Sequence, residues 1–359
     1  VPKLSEIVVT VPDLRPVLAS FAPLAGLLPE TLPVARMSGG LINDTFALGD
    51  AWVLQRLHRI FAGEVNLDIA ALVPVLLAAG VQVPELRPAR DGRPWVHIDG
   101  HQPIEIMGVW RILTRLPGQT LHALEDAGQA ESAGRLIARF HGVLAPVEHT
   151  FAFTRPGAHD TDRHMATLVD ALQTHRDHRL FAAVAELAED LLPRWQRWGR
   201  PPHLPRRIVH GDLKVSNLLF EHGKATAVLD LDTLAHGTLD IELGDALRSW
   251  CNAGTEDDPH PRFQADVFRA ALHGYAHEAK AWMTQEEWLV LPAAVERICL
   301  ELAARFAADA LHETYFGWDP LRFPARGEHD LARARNQLGL ARDVARQRTE
   351  LEGIVKSLA

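Results

Sequence analysis

Residues 209–220 read VHGDLKVSNLLF, and residues 225–233 read ATAVLDLDT. Each piece joins an apolar, strand-like run to a polar turn that carries carboxylates. An isolated His-Gly-Asp triplet is an ordinary turn, in which Gly supplies a positive φ and Asp accepts backbone N–H groups. The ordered set is far more restrictive. Asn217 follows Asp212 after five residues, and an apolar strand ends on Asp230 thirteen residues later, with Asp232 just beyond. Bringing these side chains together requires a loop flanked by two neighbouring hairpin segments, set in a part of the chain that otherwise reads as helical.

Such a set suits phosphoryl transfer. That reaction asks a protein for position and charge: oxygen ligands for a metal on the phosphates, a positive group, and a carboxylate that orients the attacking hydroxyl. Asp212 has the right type and place for the carboxylate. Asn217, Asp230 and Asp232 supply the hard oxygens that Mg²⁺ prefers.

The rest of the chain leaves room for this chemistry. At 359 residues it is long enough for two lobes. The formal charge is −9, from 37 Lys and Arg against 46 Asp and Glu, without a basic run of the kind that binds a nucleic-acid backbone. The two cysteines, Cys251 and Cys299, are too few for a disulfide framework and lack metal-ligand spacing, so they read as buried thiols of a cytoplasmic protein. The start, VPKLSEIVVTVPDL, is broken by Pro, Asp and Glu, which argues against a signal peptide or a membrane span. We therefore expect no nucleic-acid, membrane or obligate protein partner.

The first third reads as short strands around one helix. LPVARMS, TFAL and AWVLQRL have strand character, residues 63–79 have helical spacing and stop at Gly80, and VQVPELRPA and PWVHIDG are extended. TRLPG, residues 114–118, ends this region on a Pro-Gly breaker, and helices dominate beyond it. The expected architecture is α+β with two lobes. Residues 1–115 form a small β-rich lobe with a leading helical segment and one main helix, and residues 116–359 form a large helical lobe.

HGDLKVSNLLF followed by AVLDLDT resembles the aminoglycoside phosphotransferase and choline kinase superfamily, whose fold is protein-kinase-like. Within it, SGGLINDTFAL, WVLQRLH, HDTDRHMATLVDAL, ELGDALRSWCNAGTEDDP and ELAARFAADALHETYFGW bring the chain nearest to the N-acetylhexosamine 1-kinase group, in order from about Met37 to Trp318. The resemblance implies a kinase that uses ATP and Mg²⁺ and phosphorylates a sugar hydroxyl, the anomeric one of an N-acetylhexosamine or related hexose. It implies Asp212 as catalytic base and Asn217 and Asp230 as metal ligands, with Asp232 a further one. Gly39, Gly40 and Asn43 would lie in the loop over the phosphates, Arg56 where relatives carry a lysine, and the backbone from Thr114 to Leu116 against the adenine. Glu64 and Asp68 are both candidates for the helix carboxylate that pairs with Arg56. Lys214, Glu242 and Arg305 would meet the substrate, with Asp160 and Tyr315 behind them. Two rival readings stand beside this one: a kinase of an aminoglycoside, choline or homoserine-type alcohol, which an acidic pocket at Glu256–Asp258 would favour, and a non-catalytic nucleotide-binding module, suggested by Arg56 in place of lysine.

Overall fold

The computed structural model describes residues 12–21, 33–37, 43–100, 102–198 and 203–358. Gly39 and Gly40 lie outside the described residues. The chain divides into two compact units: Val1–Pro74 with Val83–Leu116 and Phe151–Phe153, and Val75–Gln82 with Pro117–Thr150 and Thr154–Ala359.

The first unit is built on an antiparallel sheet. After the short helix α1 (Arg15–Leu18) come strands β1 (Val34–Arg36), β2 (Asp44–Leu48) and β3 (Trp52–Arg56), then helix α2 (Val65–Ala78), whose last turn belongs to the second unit, and β4 (Leu86–Arg87), β5 (Val96–Ile98) and β6 (Gly108–Thr114). The strand order is β1-β2-β3-β6, and β4 and β5 share the outer edge of β6. Side chains alternate across a strand with period two. Phe46, Leu48, Leu54, Trp110 and Ile112 share one face and form a buried cluster with Val17 and Leu18 of α1. Gln55 and Arg111, paired across β3 and β6, point to the other face, where Arg111 reaches Asn66 of α2.

The second unit contains β7 (Gln119–Thr120), α3 (Ala127–Leu144), α4 (Thr161–Thr174), α5 (Phe181–Gln196), β8 (Arg207–Val209), β9 (Leu218–Glu221), β10 (Lys224–Val228), β11 (Ala235–Gly237), α6 (Leu239–Trp250), α7 (Ala265–Ala279), α8 (Gln285–Leu289), α9 (Leu291–His312) and α10 (Arg326–Leu358). Its core helix is α9, buried on almost every side by packing against α4, α5, α6 and α10. That burial fits its run of Ala and Leu with few exposed polar positions. Helices α3 and α7 touch backbone to backbone: a Cβ on Gly134 would fall 1.9 Å from the Ala271 carbonyl oxygen. Two small antiparallel pieces, β10-β9-β7 and β11-β8, interrupt this helical unit. Among the described residues no helix is long and apolar enough to cross a membrane. Cys251 and Cys299 are buried free thiols.

Candidate active site

The loop between β8 and β9 carries Asp212, and its backbone is pinned from several sides. His210 is fully buried; its Nε2 donates to the Leu229 carbonyl at 2.7 Å, which leaves Nδ1 to accept the Asp212 N–H at 3.2 Å. Gly211 has φ +81°, and a Cβ there would lie 2.5 Å from the Thr233 carbonyl oxygen, so both conformation and space demand glycine. The Thr233 hydroxyl donates to the His210 carbonyl at 2.8 Å, and the Trp250 indole N–H donates to the Leu213 carbonyl at 2.8 Å. The carboxylate that follows this loop is therefore held by its backbone rather than left to a flexible turn.

Two side chains meet at the Asp212 carboxylate. Lys214 Nζ donates to Asp212 Oδ2 at 2.7 Å, and Asn217 Nδ2 donates to the same oxygen at 3.1 Å and to the Asp212 carbonyl at 2.7 Å. Burial opposes ionisation of Asp212, but the charge and hydrogen bond of Lys214, helped by His210 and Asn217, hold its carboxyl below the usual range. Lys214 is pushed up in turn: burial works against its charge, and Asp212 and Asp230 outweigh it. Asp212 is thus an ionised acceptor at neutral pH.

The hairpin of β9 and β10 brings Asp230 to the same place. Leu229 N–H donates to the Asn217 carbonyl at 2.8 Å, and Leu218 pairs with Val228, so Asn217 and Asp230 leave the two strands side by side. Asp230 takes a left-handed backbone (φ 58°, ψ 60°), an uncommon conformation for a residue other than glycine. With Asn217 Nδ2 committed to Asp212, its Oδ1 is the oxygen left for a cation. Asn217 Oδ1 and the Asp230 carboxylate are hard donors that fit Mg²⁺, an ion bound through one or two protein groups plus phosphate oxygens. Among the described residues there is no cluster of three or more His, Cys, Asp or Glu that could hold a metal ion. Asp232 is 2 % exposed inside the following turn, less open to an ion than Asp230.

Glu242 is a correction. It was expected at the substrate, yet it is buried and spends both oxygens on the catalytic loop. Oε1 accepts the His210 N–H at 2.8 Å and bonds His141 Nε2 at 3.0 Å, while Oε2 accepts the Gly211 N–H at 2.9 Å. Asp240 and Asp245 are likewise engaged, the first with Thr238 and Arg297 and the second with Arg248. The carboxylates at Glu256–Asp258 do not form an open acidic pocket. Glu256 pairs with Arg248 at 3.0 Å, Asp257 with Arg322 at 2.7 Å and His329 at 3.1 Å, and Asp258 accepts the His260 N–H at 2.8 Å. Asp160 caps α4 by accepting the Arg163 N–H, and the Tyr315 hydroxyl accepts from Arg155 at 2.7 Å. Arg305 stands mid-way along α9, 5.7 Å over the Phe316 ring and 4.0 Å from Glu301.

In the sheet unit the expected pairing of Arg56 with the α2 helix is overturned. Arg56 Nε donates to Asp44 Oδ2 at 3.0 Å and Nη1 to the Glu105 carbonyl at 2.8 Å, with the guanidinium 5.8 Å over Trp110. Glu64 is exposed ahead of α2, and Asp68 accepts the N–H groups of Ala152 and Phe153 at 2.8 and 3.0 Å. The cause is the strand period: Arg56 shares a face with Leu54 and Trp110, opposite the face that α2 approaches. A cation that does stand on the α2 side is Arg111, missed in the sequence. It is 2 % exposed, donates to Gln55 Oε1 at 2.9 and 2.7 Å, and reaches Asn66 Oδ1 at 3.2 Å. The argument for a non-catalytic module, which treated Arg56 as a replaced lysine, loses its basis. Asn43 Oδ1 accepts the His58 N–H at 2.9 Å, the Thr114 hydroxyl accepts the Glu85 N–H at 2.9 Å, and Leu116 is half-buried.

Known proteins resemble this arrangement. The phosphotransferase enzyme family matches residues 33–283, more than half of the chain. A homoserine kinase of Rhodopseudomonas palustris (strain BisA53) is 24% identical over 251 residues, covering 68% of this chain and 70% of its own. The homoserine kinase of Gluconobacter oxydans (strain 621H) is 26% identical over 56% of this chain and 58% of its own. Among solved structures, an amicoumacin kinase in complex with AMP-PNP, Ca²⁺ and Ami superposes with TM-score 0.61 at 16% identity, covering 91% of this chain and 93% of that one. A microcompartment-associated aminopropanol kinase gives TM-score 0.60 at 18% identity over 94% and 97%. The fold is the kinase-like one, and the chain belongs to the phosphotransferase enzyme family as a small-molecule phosphotransferase.

Proposed function

We propose that this chain moves the γ-phosphoryl group of ATP, with Mg²⁺, onto a sugar hydroxyl: the anomeric hydroxyl of an N-acetylhexosamine or related hexose, giving a sugar 1-phosphate. The observation that carries the phosphotransfer reading is the meeting of Lys214 and Asn217 on one ionised carboxylate, Asp212, with Asp230 beside Asn217 at the hairpin end. Asp212 orients the acceptor hydroxyl and takes its proton as the oxygen attacks phosphorus in line. Lys214 stabilises charge on the phosphoryl oxygens in flight. Asn217 and Asp230 would hold the metal, whose positive charge would offset that of the phosphate groups. The sugar assignment is supported by the sequence resemblance between residues 37 and 318.

A homoserine-type acceptor is the second reading, favoured by the homoserine kinases among the relatives. A panel of N-acetylhexosamines, hexoses, homoserine and amino alcohols, assayed for ADP release with MgATP and followed by phosphorus NMR of the product, separates the two. An anomeric phosphate doublet is expected. A phosphate ester of homoserine, with sugars inert, would overturn the sugar reading and leave phosphotransfer intact.

A further inference from the structure

Helices α3 and α7 carry no group that the reaction above uses, yet they touch more closely than any residue larger than glycine allows. A Cβ on Gly134 would fall 1.9 Å from the Ala271 carbonyl oxygen, and one on Gly274 would fall 1.9 Å from the Glu131 carbonyl oxygen. Gly134, Ala138 and His141 recur at i, i+4 and i+7 on one face of α3, as Ala271 and Tyr275 do at i and i+4 on α7. The small residues close the seam backbone on backbone. That approach presses the two polar side chains of the seam together: Tyr275 Oη and His141 Nδ1 are 2.9 Å apart, and both residues are buried.

From this contact an unbroken series of hydrogen bonds reaches the Asp212 loop. His141 Nε2 lies 3.0 Å from Glu242 Oε1; that oxygen also accepts the His210 N–H at 2.8 Å, and Oε2 accepts the Gly211 N–H at 2.9 Å. His210 Nδ1 in turn accepts the Asp212 N–H at 3.2 Å. The direction of each bond follows from its partners. Glu242 is ionised and can only accept, so His141 Nε2 carries a proton. Burial, with the charges of Glu242 and Glu287, raises the Tyr275 pKa well above the ordinary phenol value, so the hydroxyl keeps its proton and donates it to Nδ1. The bond at one ring nitrogen thereby fixes the tautomer that serves the other. The phenol is held against turning by edge-on contacts with Trp282 and Trp288, at centroid distances of 6.2 and 5.9 Å.

We propose that Tyr275 and His141 are positioning residues for phosphoryl transfer: they fix the Glu242 carboxylate, and through it the backbone of His210 and Gly211, in the setting that aims Asp212 at the acceptor hydroxyl. This rests on the reading of Asp212 as the base and adds the part of the helical unit that sets its place. Neither residue touches the reacting atoms. Without the phenol hydroxyl, buried Nδ1 loses its donor, a buried acceptor left unpaired is costly, and the imidazole gains by turning or by shifting its proton. Either change withdraws the Nε2 proton from Glu242. A Tyr275 that only filled space would be replaced by Phe without effect, since the ring and its Trp contacts remain.

The test uses the full chain and two readouts, amide hydrogen exchange by mass spectrometry and steady-state kinetics. In Tyr275→Phe, residues 207–213 should exchange about three- to tenfold faster, the change expected for one lost hydrogen bond, while residues 184–191 of α5 stay as in wild type. With MgATP and N-acetylglucosamine, homoserine or 1-amino-2-propanol, kcat on the best acceptor should fall about tenfold, and the KM values for acceptor and MgATP should stay within about twofold. His141→Gln, which keeps an N–H for Glu242, should hold both readouts within about twofold of wild type. His141→Leu, which has no donor, should lose at least as much as Tyr275→Phe. If Tyr275→Phe does not fold, the Gln and Leu variants of His141 decide. Unchanged exchange at 207–213, a rise shared equally by α5, an opened loop with normal kcat, or equal losses in the two His141 variants overturns the proposal. Absence of ADP release by wild type with all three acceptors counts against the proposed function, and the exchange data then decide by themselves whether Tyr275 and His141 hold the loop.

Discussion

Replacing Glu242 by Gln separates a loop-holding carboxylate from a substrate contact. In the protein its two oxygens accept the N–H groups of His210 and Gly211 at 2.8 and 2.9 Å and bond His141 at 3.0 Å, all out of solvent. An amide of the same shape turns one of those oxygens into a donor that faces a donor. Hydrogen bonds to a charged group contribute about 1.5–3 kcal/mol each, and breaking a buried charged pair costs roughly 3–5 kcal/mol. A loss of about 3–5 kcal/mol in the helical unit is expected, which corresponds to a fall in Tm on the order of 10 °C. Since Asp212 lies two residues beyond the anchored amides, kcat should fall by up to about a hundredfold through misplacement, with acceptor KM nearly unchanged. The pH dependence has a definite sign. Burial opposes ionisation of Glu242, but His141 and the loop amides hold its pKa below the ordinary value, so its contribution is complete at neutral pH and fades as acid protonates the folded form. The gap between wild type and Glu242→Gln should accordingly narrow as pH falls below the ordinary carboxylate range. Thermal melts across pH, with steady-state kinetics on the same preparations, are the assay. A variant that melts like wild type but shows a raised acceptor KM would refute this account and return Glu242 to the substrate.

Asp212→Asn should keep the fold and lower kcat by roughly two to four decades; because Lys214 holds the wild-type carboxyl below its usual range against the effect of burial, this group should add no inflection to kcat between about pH 5 and 8, and near-normal turnover of the variant would remove Asp212 from its role. Asp230→Ala should abolish the Mg²⁺ dependence of nucleotide binding, and undiminished MgATP binding by calorimetry would contradict the metal assignment. Asp330 is fully buried with Oδ2 unpartnered, and burial together with Asp309 raises its pKa to about 8. A raised acid binds its proton in the folded state first, so stability falls as pH rises from the unfolded carboxylate value towards 8. Asp330→Asn should therefore gain Tm over wild type progressively from about pH 5 to pH 8, and parallel melting curves would exclude this.

How much of this was legible in the sequence depends on the distance over which each residue acts. Asp212, Asn217 and Asp230 could be read because their relation is local: one turn fixes the first two, and one hairpin sets the third beside them. Glu242 could not, since its partner amides lie about thirty residues earlier and only the docking of α6 beneath the loop brings them together. The pairing of His159 with buried Glu301 was hidden for the same reason, the two being 142 positions apart.

Arg56 is the most instructive failure, because the information was partly present. In WVLQRL the strand period alone assigns Gln55 and Arg56 to opposite faces. What the strand cannot say is which face the following helix covers. That is decided by β6, where Trp110 and Ile112 carry the bulk of the apolar area to the face that α1 closes, leaving Gln55 and Arg111 to the other. A charged residue of Arg56's parity must then remain at the rim of an apolar face, where Asp44 across the strand pair and the Trp110 ring satisfy it. The same parity fixes where a cation on the helix side must come from. Position 55 holds a neutral amide, so the charge there is supplied by the cross-strand neighbour of Gln55, and the Gln55 side chain becomes the acceptor that orients it. The identity of the residue one step along a strand, read against its partner strand rather than along its own, is what locates the charge.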